Sequence, residues 1–469
     1  MPAVISSAPW RPRPNPDAAT IAAIGDLSGK RVVVMGLGRF GGGIGAARWL
    51  AAHDARVIVT DLADRAALSD SIAQLADIDL RFELGGHRAD LLTDAALVVV
   101  SPAVPQERSP FFAEIVRRNV PWTTEINLFL ARCPATVIGV TGSAGKSTTT
   151  AMIHAGLSAS WSGGACYMGG NIGRSLLADV AEMSERDVVV LELSSFQLAD
   201  LPRIARRPEL AVLVNAFPHH IDRHGSFDAY VDAKLNIIRG ATACTPVVIG
   251  GHDDRLIARV RDVADSFGGS IIRAGDEPPP TGLTLPGAHN ADNARCATVV
   301  CRLLGLDADR TAAALREFRG LPHRLEFVGL FNGVRYYNDS KATCPTTATA
   351  SLRAFDRPVI ALMGGKARDV SLDLLQSAIR ESARSLFCFG GGGAILADAV
   401  RLDATCGPRP VIEIAATFGE AVASACRAAR DGDIVLLVPG FESYDEFPNY
   451  EHRGRAFAEI VKRFHHVND

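Results

Sequence analysis

The residue types suited to handling a phosphate crowd into one stretch, Val137-Ile-Gly-Val-Thr-Gly142-Ser143-Ala144-Gly145-Lys146-Ser147-Thr148. Val137 to Val140 reads as a buried strand, the glycine-rich segment as its exit, and Lys146-Ser147-Thr148 as the opening of a helix. Gly142 and Gly145 allow a tight turn that aims backbone N–H groups at an anion. The helix N-terminus adds its dipole, Lys146 a point charge and Ser147 a hydroxyl for Mg²⁺. The general phosphate-loop pattern places four residues between its glycines, whereas only Ser143 and Ala144 stand here. A plain strand–helix turn is the bland reading. Strand, loop and helix together favour nucleotide phosphate.

Acids, imidazoles and amides follow at strand ends. Arg186 to Glu192 is a strand closing on a carboxylate, which in a phosphate-loop protein holds Mg²⁺ opposite Ser147; otherwise Glu192 is a helix-cap neighbour. The strand Leu210 to Val214 leads into His219, His220, Asp222 and His224, a dense set of ligand-type side chains unless these are solvated loop residues. Lys234 lies on the helix predicted from Phe227 to Ile238. Asn290 and Asn293 open another helix, nearly a turn apart, spaced to read a purine edge.

The first third carries Arg31-Val-Val-Val-Met-Gly36-Leu-Gly38-Arg39-Phe40-Gly41, a strand running into G-x-G-x-x-G. A helix (Ile44 to His53) and a strand ending in Asp61 complete a dinucleotide-type unit, in which such an acid holds a ribose hydroxyl. Ser101-Pro102-Ala103-Val104-Pro105 forms a rigid turn after the next strand, at the sheet edge where ligands sit. Three readings stand: NAD, a turn needed only for packing, and a nucleotide-sugar diphosphate.

The elements that must position these groups alternate strand and helix along 469 residues, a length for about two to four domains. With 48% hydrophobic and 22% charged residues, the composition is that of a globular protein. A net charge of −3 argues against nucleic acid as a partner. The nine cysteines are scattered with no C-x-x-C, which reads as reduced thiols in a cytoplasmic protein. Met1 to Thr20 is Pro-rich without the apolar core of a signal peptide, and no run approaches the ~18 apolar residues of a membrane span. A boundary is expected at Cys133-Pro134 and another near Gly320. Beyond it, strands are expected at Gly333 to Tyr337, Pro358 to Met363, Ser385 to Phe389, Val411 to Ile414 and Ile434 to Val438.

T-G-x-x-G-K-S-T, E-L-S-S-F-Q-L from Glu192, H-x-D-R-H from His220 with Ala-Lys234-Leu downstream, G-x-H-N-x-x-N, G-L-P-H-R-L-E and N-D-S-K-A-T occur in that order. Together they resemble the ATP-dependent Mur ligases of peptidoglycan synthesis, over essentially the whole chain after about residue 28. The resemblance implies an α/β protein of three domains. These are a Rossmann-like domain (1–134) for a UDP substrate instead of NAD, a central phosphate-loop ATPase with a mostly parallel sheet (135–320), and a Rossmann-like domain that closes over the site (321–469). It implies the ATP-driven joining of glutamate, of D configuration, to UDP-N-acetylmuramoyl-L-alanine through an acyl phosphate, by a cytoplasmic monomer.

By motif, the resemblance places ATP on Gly142 to Thr148, Asn290, Asn293, Arg324 and Asp339. Two Mg²⁺ ions fall to Ser147, Glu192, His220 and a Lys234 carbamylated by CO₂. Lys146, His220 and Lys234 are the implied catalytic groups. Substrate contacts fall to Gly36, Gly38, Arg39, Phe40, Gly41, Asp61, Ser101, Asn171 and Ser194. Lys341 and Thr343 contact a phosphate or the incoming amino acid, which also meets Arg368, Ser443 and Tyr450. Departures gather in that amino-acid pocket. Arg368 stands where the family has lysine, with Lys366 two positions earlier, and Glu442 is an added acid. Ala144 replaces the usual asparagine, and Pro218-His219 an acidic pair. The rivals are a ligase of the same family for another amino acid, such as L-glutamate, and a nucleotide-binding regulator without turnover.

Overall fold

The computed structural model describes residues 26–38, 41–251, 253–278, 280–367, 370–402 and 410–466. Arg39, Phe40, Arg368 and the Pro-rich N-terminal segment lie outside them. The described chain is mixed α/β with three sheets. Strands are β1 (Arg31–Met35), β2 (Arg56–Asp61), β3 (Arg81–Leu84), β4 (Ala95–Val100), β5 (Trp122–Thr123), β6 (Thr136–Thr141), β7 (Cys166–Gly170), β8 (Val188–Glu192) and β9 (Leu210–Leu213). They continue as β10 (Val247–Ile249), β11 (Ile271–Arg273), β12 (Glu326–Phe331), β13 (Val334–Asn338), β14 (Val359–Gly364), β15 (Ala383–Phe389), β16 (Val411–Ile414) and β17 (Ile434–Gly440).

The first sheet runs β3-β2-β1-β4-β5 and the second β11-β10-β9-β6-β8-β7, both parallel throughout. Strands β6, β8 and β9 are buried on both faces, which explains their near-continuous Val/Ile/Leu composition. In each sheet a central strand is flanked by strands reached in opposite directions, so the loops at the carboxyl ends part and leave a crevice. Those loops carry Gly36, Asp61 and Ser101 in the first sheet, and the phosphate loop and Glu192 in the second.

The third sheet, β12-β13-β17-β14-β15-β16, is parallel except for the β12–β13 hairpin. That hairpin turns through Asn332 and Gly333, both at positive φ (48° and 75°), as a two-residue turn requires.

Three sheets make only two compact units. One comprises the described parts of Met1–Pro279 and Asp292–Leu315; the other comprises Pro280–Ala291 and the described residues from Arg316 onward. The expected boundary at Cys133-Pro134 falls within the first unit. There Cys133 and Ala135 are buried in one core with Leu128 and Val99 of the first layer and Val137 and Leu191 of the second. Asn290 belongs to the second unit and Asn293 to the first.

Within the first unit, one buried contact ties its two layers together. Glu125 opens the helix Glu125–Arg132 and accepts a hydrogen bond from Ser175, a residue of the loop after β7. Gly45 packs against Ser175, since any Cβ there would meet its hydroxyl. Burial raises the Glu125 carboxyl to about 7, with the Ser175 bond opposing the shift. A raised acid is a stability penalty that is absent below the unfolded value near 4.5 and complete above about 7. Glu125→Gln is therefore expected to gain on the order of 1–3 kcal/mol at pH 8 and nothing below pH ~4.5. Urea unfolding at both pH values measures this, and an equal effect at the two would contradict it.

Candidate functional site

The phosphate loop is built from β6, which delivers Thr141, and the helix Lys146–Ser160, capped by Gly145 at φ 77°. Gly145 also has no room for a side chain, because a Cβ would stand 2.5 Å from Asn293 Oδ1. Asn293 Oδ1 accepts a bond from Thr149 (3.1 Å), so this amide is seated against the loop.

Ser143 N (3.0 Å) and Ala144 N (3.0 Å) both donate to Asn215 Oδ1, at the end of β9. The Ser143 hydroxyl donates to Phe217 O and accepts from Tyr230 Oη (2.9 Å). Asn215 and Tyr230 thus latch the loop from outside. The first-turn N–H groups of the helix and the charge of Lys146 face the side of the loop where a phosphate would be held.

Two lysines meet at one oxygen. Lys146 Nζ lies 3.1 Å and Lys234 Nζ 2.8 Å from the Gly142 carbonyl. Lys234 comes from the helix Phe227–Leu235, is 2% exposed, and lies over the Tyr230 ring at 4.5 Å. Burial first, then the Lys146 charge, push it down to about 6, against the raising influence of Glu192. Glu192, buried at the end of β8, accepts from Asn171 Nδ2 (2.8 Å), while its Oε2 has no partner. Asn171 is held in turn by its own N–H on Glu192 O.

The histidine segment is not a ligand cluster by itself. Among the described residues no three His, Cys, Asp or Glu side chains gather as a metal site. His219 and His220 are exposed with rings in edge contact. His224 bonds Ser195 Oγ (3.0 Å) and stacks on Phe196. Ser194 caps the helix Ser195–Ala199 in a reciprocal box with Gln197.

At the first sheet, Asp61 accepts from Gly38 N (3.1 Å) and Ala63 N (2.9 Å), so its carboxylate shapes the glycine loop as well as facing the crevice edge. Gly41 caps the helix Gly42–Ala52 in the left-handed region. Ser101 N bonds Met35 O, which sets the turn after β4 against β1.

In the second unit, the loops after β13, β14 and β17 gather around Arg453. This side chain is fully buried and bonds Ser340 Oγ (3.1 Å), Ser340 O (3.0 Å) and Phe441 O (3.1 Å). It holds the Asp339–Thr343 segment beside the segment carrying Ser443. Asp339 is buried, accepts from Leu325 N (3.1 Å) and Ser351 Oγ (2.5 Å), and is raised to about 6 by burial. Arg324 sits in the adjoining turn, its N–H on Leu321 O. Lys341 lies 5.4 Å over the Tyr450 ring, and Thr343 N bonds Lys341 O. Asn290 donates to Pro286 O (2.7 Å).

Comparison with known proteins fits this geometry. Family models match as the Mur ligase MurD-like N-terminal domain (residues 30–123), the Mur ligase middle domain (140–279) and the Mur ligase glutamate ligase domain (323–441). A UDP-N-acetylmuramoylalanine–D-glutamate ligase of Geotalea uraniireducens is 37% identical, across 93% of this chain and 98% of its own. This chain belongs to the Mur ligase family. A ligase of the same name from Symbiobacterium thermophilum is 35% identical over 92% of this chain and 98% of its own. In fold the chain is similar to the MurF ligase of Thermotoga maritima in complex with ADP (TM-score 0.55, 16% identity, 95% and 97% covered). It is also similar to UDP-N-acetylmuramate-alanine ligase MurC of the same organism (0.53, 18%, 92% and 99%).

Asn215, Tyr230 and Arg453 were not singled out for these contacts from sequence. An Asn directly after a buried strand is the one signal that pointed to the first of them. Asn215→Ala removes the acceptor of two loop N–H groups and is expected to weaken ATP binding about tenfold. Titration with ATP checks this, and unchanged affinity would remove Asn215 from the loop's support.

Proposed function

We propose that this Mur ligase joins D-glutamate to UDP-N-acetylmuramoyl-L-alanine with ATP, giving ADP, phosphate and an amide, as a cytoplasmic monomer. Relatives at 34–37% identity carry that name, which supports the acceptor and the amino acid. No helix among the described residues is long and apolar enough to cross a membrane. The observation that carries the reading is the meeting of Lys146 and Lys234 on the Gly142 carbonyl. A glycine-rich loop that gathers two lysine side chains at a helix N-terminus favours an anion, and a nucleotide phosphate is the anion this loop is shaped for.

The residues fit two Mg²⁺ ions. Glu192 presents a buried oxygen with no partner, and Ser147 opens the helix beside the loop. Glu192 and His220 alone leave such a site short of oxygens. A carbamate on Lys234 supplies them: its neutral amine forms an N–C bond to CO₂ and releases one proton to solvent, turning a neutral group into an anion. When bound, Mg²⁺ neutralises phosphate charge.

Lys146 then orients the γ-phosphate toward the substrate carboxylate, and the helix N-terminus stabilises the charge that develops on transfer. Gly36, Gly38 and Gly41 line the helix terminus that would receive the UDP diphosphate, with Arg39 and Phe40 between them, and Asp61 and Ser101 border it. Asn171 and Ser194 stand beside Glu192 for the reacting end. Asn290 and Asn293 read the adenine, and Asp339 and Arg324 the ribose and phosphates. Lys341, Thr343, Arg368, Ser443 and Tyr450 serve the incoming amino acid.

Phosphate release measured with UDP-N-acetylmuramoyl-L-alanine and either D- or L-glutamate tests the reading. Release that needs both substrates and prefers the D isomer is expected; tight nucleotide binding without release would favour a regulator. Lys146→Ala is expected to abolish turnover. Lys234→Ala should lose most activity and regain part of it with acetate, while Lys234→Arg stays inactive. An arginine variant with wild-type turnover would remove the carbamate.

A further inference from the structure

Arg223 has no part in the chemistry above, yet its side chain bonds three backbone carbonyls across the two layers of the first unit. Its guanidinium donates to three successive carbonyls of the turn after β4: Pro102 O (3.4 Å), Ala103 O (3.2 Å) and Val104 O (3.0 Å). The same group lies 4.5 Å over the Phe196 ring, four residues beyond Glu192. Phe196 is also the ring on which His224 stacks and beside which His220 lies, with centroids 5.4 and 4.9 Å away. From the other side, Arg108 reaches Asp222 O (3.4 Å), so the histidine segment is held to the first layer at two points.

The turn itself has little freedom. Ser101 packs so closely on Gly36 that a Cβ at Gly36 would stand 2.7 Å from its own. The glycine loop, the Ser101–Pro105 turn, Arg223, Phe196 and His220 therefore form one continuous mechanical chain. It runs from the first sheet's crevice to the end of β8.

We propose that Arg223 is a positioning residue that sets the Ser101–Pro105 turn, and with it the nucleotide-sugar substrate, in register with the Glu192 and His220 side of the phosphate-transfer site. This rests on the functional reading above. A planar guanidinium spreads its donors over three carbonyls while keeping a flat face for Phe196, which an ammonium cannot do. Lysine should therefore fail to substitute.

The test is calorimetric binding of UDP-N-acetylmuramoyl-L-alanine and, separately, ADP to wild type, Arg223→Lys and Arg223→Ala, together with KM for each substrate and thermal unfolding. Both variants are expected to bind the UDP substrate about tenfold or more weakly and to show a matching rise in its KM. ADP affinity and the unfolding temperature should stay near wild type. Equal loss of ADP and UDP-substrate affinity, or a lysine variant indistinguishable from wild type, would overturn the positioning role. If wild type binds the UDP substrate and Arg223→Ala binds it equally well, this inference alone falls. If wild type does not bind it, the functional reading falls and carries the inference with it.

Discussion

The Gly142 carbonyl accepts hydrogen bonds from two lysine side chains, and the centre of the first unit is arranged around that fact. A carbonyl dipole satisfies the hydrogen-bonding geometry of both amines, while burial and the Lys146 charge disfavour a second positive charge on Lys234. Glu192, whose charge opposes that shift, has one oxygen committed to Asn171 and the other without a hydrogen-bond partner. Lys234 responds by giving up its proton easily, chiefly because it is buried. A free amine beside a cationic loop and an open carboxylate oxygen suits a group that adds CO₂ and then shares a divalent cation.

The rest of the unit keeps this centre rigid by contacts made far from it in sequence. Asn215 and Tyr230 hold the loop, Ser175 and Glu125 join the layers, and Arg223 ties the histidine segment to the turn after β4. Arg453 does the same work in the second unit, replacing a carboxylate partner with backbone carbonyls and the Ser340 hydroxyl. A buried guanidinium so satisfied fixes loop geometry at the cost of desolvation, which lowers its own basicity to about 10.

How much of this was legible depended on whether a feature is local. The strands expected at 56–61 and 411–414 lie where the sequence placed them, because β-branched runs bounded by polar residues are local signals. The phosphate loop and its helix were equally plain. β10 and β11, three residues each, are too short to show a period, and β7 ends in glycines that read as loop. The hairpin strand β12 went unmarked although Asn332-Gly333 announces it. The bonds from Ser143 and Ala144 N–H were not legible because their acceptor, Asn215, lies more than seventy residues along the chain. No local pattern predicts such a partner. The split of Asn290 and Asn293 between units was hidden for the same reason, since units are defined by contacts and motifs by spacing.

The account turns on the state of Lys234, and ¹³C NMR of protein equilibrated with ¹³C-labelled bicarbonate addresses it most directly. A carbamate carbonyl resonance is predicted in the wild type, strengthened by Mg²⁺ and absent from Lys234→Arg. A wild-type spectrum without that resonance at any Mg²⁺ concentration, in protein that turns over, would contradict the account.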